Sequence, residues 1–507
     1  QHYRYHREFE RRKTLIGATM RAAAKANSGY LMYQFANTWV SMVSRKHAER
    51  PLAENLFRQV VLERAYIDWD KRKYGDARGH FYGLTLQVDS LEAHIGFVEM
   101  RQREGKHDAL KVYAKRFANK PDHAIWRFVQ AYVAAASLPQ LDAASRAAAI
   151  ATAEAHAQVA SRALSHSSVL HHLRGYLAHQ RFLIDGNTTT AAGAHTHYLL
   201  ALDLAQGNPR VKASTLHALG LLQAAVGNHH LAVDYFNKRL KLPVQRPTTD
   251  LSLAMAHARS LFHVGKPRKA ILEAERGLTM IENNGLLTRF RPYVLDRVAM
   301  YAWATGLFAK ALLRYEELVK LASRRGGANE LRAALMAGAS ALGQRDGERA
   351  NRHFDRVNVL VKTVSDEALG AGAAVWRRSP RVKAADMQLL VDGLRAQALV
   401  AQRRLPDAER ALARRATALR TRLSGSQVDA NLLALAKTLH DHAALKLQQG
   451  APNAAVGFLE EAIQFTEQHA ARTGTANHAL RVRIALAYAA MHLYGKVSLS
   501  RMRTNTN

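Results

Sequence analysis

A small residue, a second one twelve positions later and a bulky side chain four beyond that recur along much of the chain. The clearest copy is ASTLHALGLLQAAVGNHHLAVDYFNKRLKLP, in which Gly220, Ala232 and Phe236 hold the three places, Gly227 lies in the turn and Pro243 closes the unit. The beat returns as Ala258, Ala270, Ala274, as Ala299, Ala311, Tyr315, as Gly338, Ala350, Phe354, and as Ala443, Ala455, Leu459. Two antiparallel helices approach closely only where the side chains at their crossing are small. A bulky residue one turn further on then fills the groove toward the neighbouring pair. Such a chain grows by stacking, and its length does not have to be divided among separate cores.

Composition agrees. Glycine and proline number 30 and 11 in 507 residues, too few for a many-stranded fold with frequent turns, and alanine is abundant. No run approaches the ~18 apolar residues of a membrane span. The spacing, with its glycine turn signals, resembles the tetratricopeptide repeat family, whose units are helix–turn–helix pairs of about 34 residues. That resemblance implies an all-α fold, a right-handed superhelical solenoid of antiparallel helix pairs whose concave face holds peptides or other subunits. The tryptophan and tyrosine that the family places in the first helix of a unit are mostly missing here.

Four segments follow. Residues 1–52 read as a basic N-terminal helical extension opening with QHYRYHREFERRK. Residues 53–210 carry degenerate units: Ala65, Ala77 and Phe81 with Trp69 in the intervening turn, then Gly96, Ala109 and Tyr113 with a gap of thirteen. An alanine-rich helix beginning after Pro139 and capped by Asp142 comes next, then a pair whose turn gains residues around Asp185 to Thr190, an insertion near 185–195. The clearest repeats occupy 211–465, with turns expected at Gly227–Asn228, Gly265–Lys266–Pro267, Gly306, Asp346–Gly347 and Gly450–Ala451–Pro452. Longer connectors fall near 243–250 and 370–380, and 466–507 reads as a capping helix with a basic tail.

The formal net charge is +32, from 73 Lys and Arg against 41 Asp and Glu. Such an excess attracts acidic protein surfaces or anionic polymers such as exopolysaccharide, lipid headgroups and RNA. Protonating all 25 histidines would raise the charge to +57 (32 + 25), so affinity for an anion is expected to rise in mild acid. The absence of cysteine excludes disulfides, thiolate metal sites and cysteine nucleophiles. It is compatible with an oxidising compartment, and a chain beginning at Gln1 is compatible with a removed export signal, which together lean toward an exported or periplasmic protein.

No enzyme signature is present. A phosphate-binding loop and a GxSxG elbow are both missing, and RRGGANE (324–330) reads as a helix stop and restart. Glu316–Glu317 and Glu460–Glu461 diverge by about 100° on a helix and cannot converge on a substrate. The histidine groups His171–His172, His195 with His197, His229–His230 and His440 with His442 are spaced at i+1 or i+2, where zinc ligands on one helix face stand three or four apart. They read as solvated or turn-capping residues. The strongest charge cluster spans 395–422, with Arg395, Arg403, Arg404, Arg410, Arg414, Arg415, Arg420 and Arg422 against Asp407 and Glu409. Arg403, Arg404, Arg410, Arg414, Arg415 and Arg422 are therefore the candidate partner-docking residues; without interleaved aromatics they do not suit single-stranded nucleic acid. The sequence predicts a non-catalytic scaffold with no cofactor or metal, working with protein partners or as a homo-oligomer in a larger assembly. A bacterial envelope or secretion complex is one setting, since exopolysaccharide export systems contain exported repeat proteins of this kind. The alternative is a polyanion-binding solenoid.

Overall fold

In the computed structural model, the described residues are 2–25, 29–43, 48–70, 73–87, 91–115, 123–205, 208–242, 247–323, 327–364, 384–425 and 429–487. Every regular element among them is helical. Pro243, the 370–380 connector with Trp376, and the basic tail lie outside them. The chain divides into two compact units, Gln1–Gly265 and Lys266–Asn507.

Unit 1 begins with α1 (His2–Lys25), α2 (Gly29–Met42), α3 (Arg50–Asp70) and α4 (Tyr74–Gln87). It continues with α5 (Leu91–Arg103), α6 (His107–Lys115), α7 (Ala124–Ser137) and α8 (Ala143–Ser161). The pairs α9 (Ser168–Asp185) with α10 (Thr188–Leu204) and α11 (Pro209–Val226) with α12 (His229–Leu240) follow, then α13 (Pro247–His263). Unit 2 holds α14 (Pro267–Glu282), α15 (Arg291–Ala304), α16 (Phe308–Ala322), α17 (Ala328–Gly343) and α18 (Gly347–Val361). Beyond these come α19 (Ala384–Ala401), α20 (Leu405–Gly425), α21 (Asp429–Gln448) and α22 (Pro452–Thr473). Residues 478–487 are helical, and their Leu480 and Ile484 enter the core formed by α21 and α22.

Two-residue turns and extensive packing make α9 with α10 and α11 with α12 antiparallel. The turns share one device: a residue with left-handed backbone ends the first helix, and the residue five later is a buried small side chain on the second. Gly227, Gly306 and Gly450 take this conformation ahead of Ala232, Ala311 and Ala455. Glycine adopts it without a Cβ penalty. At two turns arginine adopts it instead, Arg345 with φ 63° and Arg403 with φ 59°, ahead of Ala350 and Ala408. The expected Asp346–Gly347 turn is thus one step out: Asp346 caps α18 by accepting from the Arg349 amide, and Gly347 is already helical. Gly347 is required for another reason, because a Cβ there would lie 2.4 Å from the Ala398 carbonyl oxygen of α19.

At the crossings the small residues are under steric compulsion. A Cβ on Gly220 would stand 2.3 Å from the Phe236 ring, on Gly338 2.4 Å from Phe354, and on Gly175 2.6 Å from Tyr198. Ala232, Ala270, Ala311, Ala350 and Ala455 are fully buried, as are Phe236, Phe354 and, within one per cent, Tyr315. Phe236 also packs with Ala232 against Leu253 of α13, joining its own pair to the next helix.

Three local expectations are corrected. The turn between α9 and α10 is only Gly186–Asn187, with Asn187 capping α10, so it gains no residues. The extra length lies in the helices: Gly175 precedes Gly186 by eleven residues where Gly220 precedes Gly227 by seven, and Ala194 follows by eight where Ala232 follows by five. Each helix is longer by about one turn, which returns the small residues to the same face. In α6 the buried place five after Gly105 belongs to Leu110, with Ala109 half-exposed, so the second place of this unit falls fourteen after Gly96 and holds a large side chain. Trp69 lies in the last turn of α3, edge-on to Phe81, and Phe81 in turn fills the space above Gly96 of α5.

Candidate functional site

Alternate helices of unit 1 touch in series, α3 to α5, α7, α9, α11 and α13, and form an inner layer. That layer is filled by its own side chains. Tyr66, Phe97, Trp126 and Phe128 belong to one continuous core running from α3 to α9. Arg210, at the start of α11, reaches back to α3, where its guanidinium lies 4.1 Å from the Tyr66 ring centroid and 3.6 Å from Glu63. The inner face of unit 1 is therefore bridged by Arg210.

Unit 2 differs. On α15 every position from Val294 to Ala302 is buried except Arg297 and Met300. With Tyr293, 50% exposed, and Trp303, 40% exposed, these make a stripe along one side of the helix. On α17 the accessible positions after the first turn are Arg332, Met336, Ala339, Leu342 and Gly343. Arg332 forms an ion pair with Asp296, buried on α15, which ties the two stripes together. Arg297 lies over the Tyr293 ring at 5.4 Å and donates to Met300 Sδ at 3.7 Å. Its Nε is buried and, among the described residues, without a hydrogen-bond partner. Tyrosine, tryptophan, arginine and methionine side by side are the residue types concentrated where proteins bind one another.

The second helices of unit 2 carry a ladder of ion pairs that bears directly on the basic character of the chain. Glu275 receives Lys310 at 3.0 Å, and Arg314 stands 3.9 Å away. Glu316 accepts from Arg349 Nε at 2.7 Å and from His353 Nε2 at 3.0 Å, and Asp355 pairs with Arg395 at 3.0 Å. In the first two rungs the acid follows the third place of one repeat and the cations precede the small and bulky places of the next, whereas Arg395 lies on α19, the first helix of its pair. The hydrogen bond from Arg349 holds the Glu316 carboxyl below its ordinary range. Spacing carries this signal, in Glu275 against Lys310 and Glu316 against Arg349, but only when acids and bases are read by repeat position and not by segment.

The arginine cluster expected to dock an acidic partner does not form a free surface. Arg404 and Arg410 both pair with Asp407, Arg422 pairs with Asp386 at 2.6 Å, and Arg420 grips both oxygens of Glu461. Arg415 is buried against Gly393, where an added Cβ would stand 2.1 Å from its Nη1. Burial lowers its pKa, opposed by Asp441 and Asp392. Arg403, whose backbone forms the turn, and Arg414 are the exposed members without an ion pair among the described residues. A helix-face count cannot anticipate this, because the acids paired with Arg420 and Arg422 lie on α22 and α19, about forty residues away in sequence.

The histidines are also placed differently from expectation. His172 Nδ1 is hydrogen-bonded to Thr215 Oγ1 at 3.0 Å, His229 stacks on His263 at 4.2 Å, and buried His442 stacks on Phe458 at 4.1 Å. Burial lowers the pKa of His172, His179, His197 and His217 to about 4. These four stay neutral in mild acid while the fold persists, so the charge cannot climb to its full formal value. Among the described residues, no group of three or more histidine and carboxylate side chains is placed to hold a metal, and no helix is long and apolar enough to cross a membrane.

The turn residue with left-handed backbone, the buried small side chain five later and the aromatic laid over the preceding helix's glycine settle the architecture. Each unit is an all-α, tetratricopeptide-like helical solenoid. No family model matches the sequence, and no curated protein matches it. Among solved structures, a thermophilic tetratricopeptide protein of Thermus thermophilus is 19% identical, covers 40% of this chain and 99% of its own, and superposes with a TM-score of 0.30. The C-terminal part of a repeat protein from Cytophaga hutchinsonii is 15% identical over 52% of this chain and 95% of its own, with a TM-score of 0.37. A signal-transduction ATPase with a tetratricopeptide repeat sensor from Pyrococcus horikoshii is 12% identical over 82% of this chain and 54% of its own, with a TM-score of 0.43.

Proposed function

We propose that this solenoid is a non-catalytic scaffold that holds a protein partner on the inner stripe of unit 2. The carrying observation is the accessible row Tyr293, Arg297, Met300 and Trp303 on α15 beside Arg332, Met336 and Leu342 on α17. Rigid helices fix these side chains, so little conformational entropy is lost when they are covered. Met300 and Met336 adapt to irregular apolar anchors, and Arg297 offers a cation to a carboxylate on the partner. The polyanion reading is the weaker one, because six of the eight arginines in its main basic cluster are ion-paired or buried within the fold.

A photo-crosslinking residue placed at Met300 or Ala339, compared with one at the exposed Leu313 of α16, tests the assignment in native extract. A discrete adduct is expected from the inner positions and should vanish when Tyr293 and Trp303 are both changed to serine. Equal labelling from Leu313, or an adduct indifferent to the serine changes, would refute it.

A further inference from the structure

Twelve of the 25 histidines fall between residues 156 and 263, a stretch that contains only four carboxylates, Asp185, Asp203, Asp234 and Asp250. Asp185, Asp203 and Asp234 are exposed, and Asp250 is engaged 3.0 Å from the buried Arg239. Several of these histidines are packed into the helix crossings themselves. His172 and His179 on α9 both abut the Tyr198 ring of α10, with centroids 5.6 and 6.4 Å away. His217 on α11 and His257 on α13 flank Phe236 of α12 at 6.2 and 5.9 Å.

The neighbouring groups deepen the effect. His172 faces Thr215 from α11, Tyr198 from α10 and, through space, His217. His217 faces Arg239 from α12 as well as His172 from α9. His197 on α10 faces Arg174 and His171 from α9. For His179 burial alone acts. Among the described residues, no carboxylate offsets any of these four, His172, His179, His197 and His217. In unit 2 burial also lowers the pKa of His442, but there Glu409 at 4.0 Å opposes the shift.

We propose that the helix pairs α9–α13 form an acid-opened element, in which protonation of the inner histidines separates the pairs and exposes the apolar faces around Tyr198 and Phe236 while unit 2 stays folded. The direction follows from linkage. A histidine whose pKa is lowered in the folded state binds fewer protons there than when released, so its stabilisation is complete above about pH 6.5 and is lost as the pH falls toward 4.

Hydrogen exchange of the full chain, read by peptide and corrected for the intrinsic pH dependence of exchange, tests this. Peptides within 168–263 should lose protection at least tenfold more than peptides within 405–473 as the pH is lowered from 7 to about 4.5, the window the lowered pKa values define. Changing His172, His179 and His217 to glutamine should flatten that difference. Should the triple variant fold poorly, the proton uptake of the unaltered chain serves instead: the pH dependence of the urea midpoint for the 168–263 peptides should report an uptake of roughly two or more protons on opening near pH ~5. Parallel loss of protection in both regions, or an uptake below one proton, would overturn the proposal.

Discussion

Replacing Gly220 with alanine isolates the contact on which the repeat is built. The new Cβ would sit 2.3 Å from Phe236 Cε1, against an ordinary carbon–carbon separation of about 3.5–4.0 Å. The ring cannot withdraw, because it is fully buried and lies between His217 and His257. The helices must therefore part by roughly an ångström or more, an overpacking that costs about 1–3 kcal/mol. Alanine in place of helical glycine returns about 0.5–1 kcal/mol whatever its surroundings. Gly193, inside α10 and exposed, has nothing within 4 Å of a built Cβ and supplies the control. Gly193→Ala should raise stability by about 0.5–1 kcal/mol, whereas Gly220→Ala should leave the protein about 1–3 kcal/mol below that variant. Urea titration followed by circular dichroism measures both, and hydrogen exchange of peptides from 209–240 reports the effect locally, since a solenoid need not unfold all at once. Adding Phe236→Leu to Gly220→Ala should cost less than Phe236→Leu alone. Equal stabilisation by the two glycine substitutions would refute the close-crossing argument.

Two further outcomes follow from the turns and the ladder. Arg345→Gly should stabilise by about 0.5–1 kcal/mol in thermal unfolding, because the relief of the left-handed backbone outweighs the loosening of the unfolded chain; Gly347→Ala two residues on should destabilise through its approach to the Ala398 carbonyl. A double-mutant cycle on Glu316→Gln and Arg349→Gln should give a coupling of about 0.5–1 kcal/mol that shrinks in high salt, and a coupling near zero would reduce the ladder to a coincidence of geometry.

Much of the architecture is legible in sequence because the beat is local and steric. Helix crossings demand small residues at fixed spacing, and Gly220, Ala232 and Phe236 declare that demand within seventeen positions of chain. The stretched pair α9–α10 defeats the same reading because sequence shows only that residues were gained. Whether they extend a turn or a helix depends on which placement restores Gly175 and Ala194 to the same face.

Sequence by itself determined the helical repeat, the excess of basic residues and the scarcity of acids between 156 and 263. Those are properties of spacing and composition, and no packing is needed to read them. Tertiary structure alone decided which charges remain available. Arg422 and Asp386 are thirty-six residues apart and Arg420 and Glu461 forty-one, so their pairing exists only once successive helices stack. The same stacking buries Arg415, His179, His217 and His257 and leaves Tyr293 and Trp303 accessible. Charge and apolarity belong to residues, whereas burial and partnership belong to the surfaces that stacking brings together.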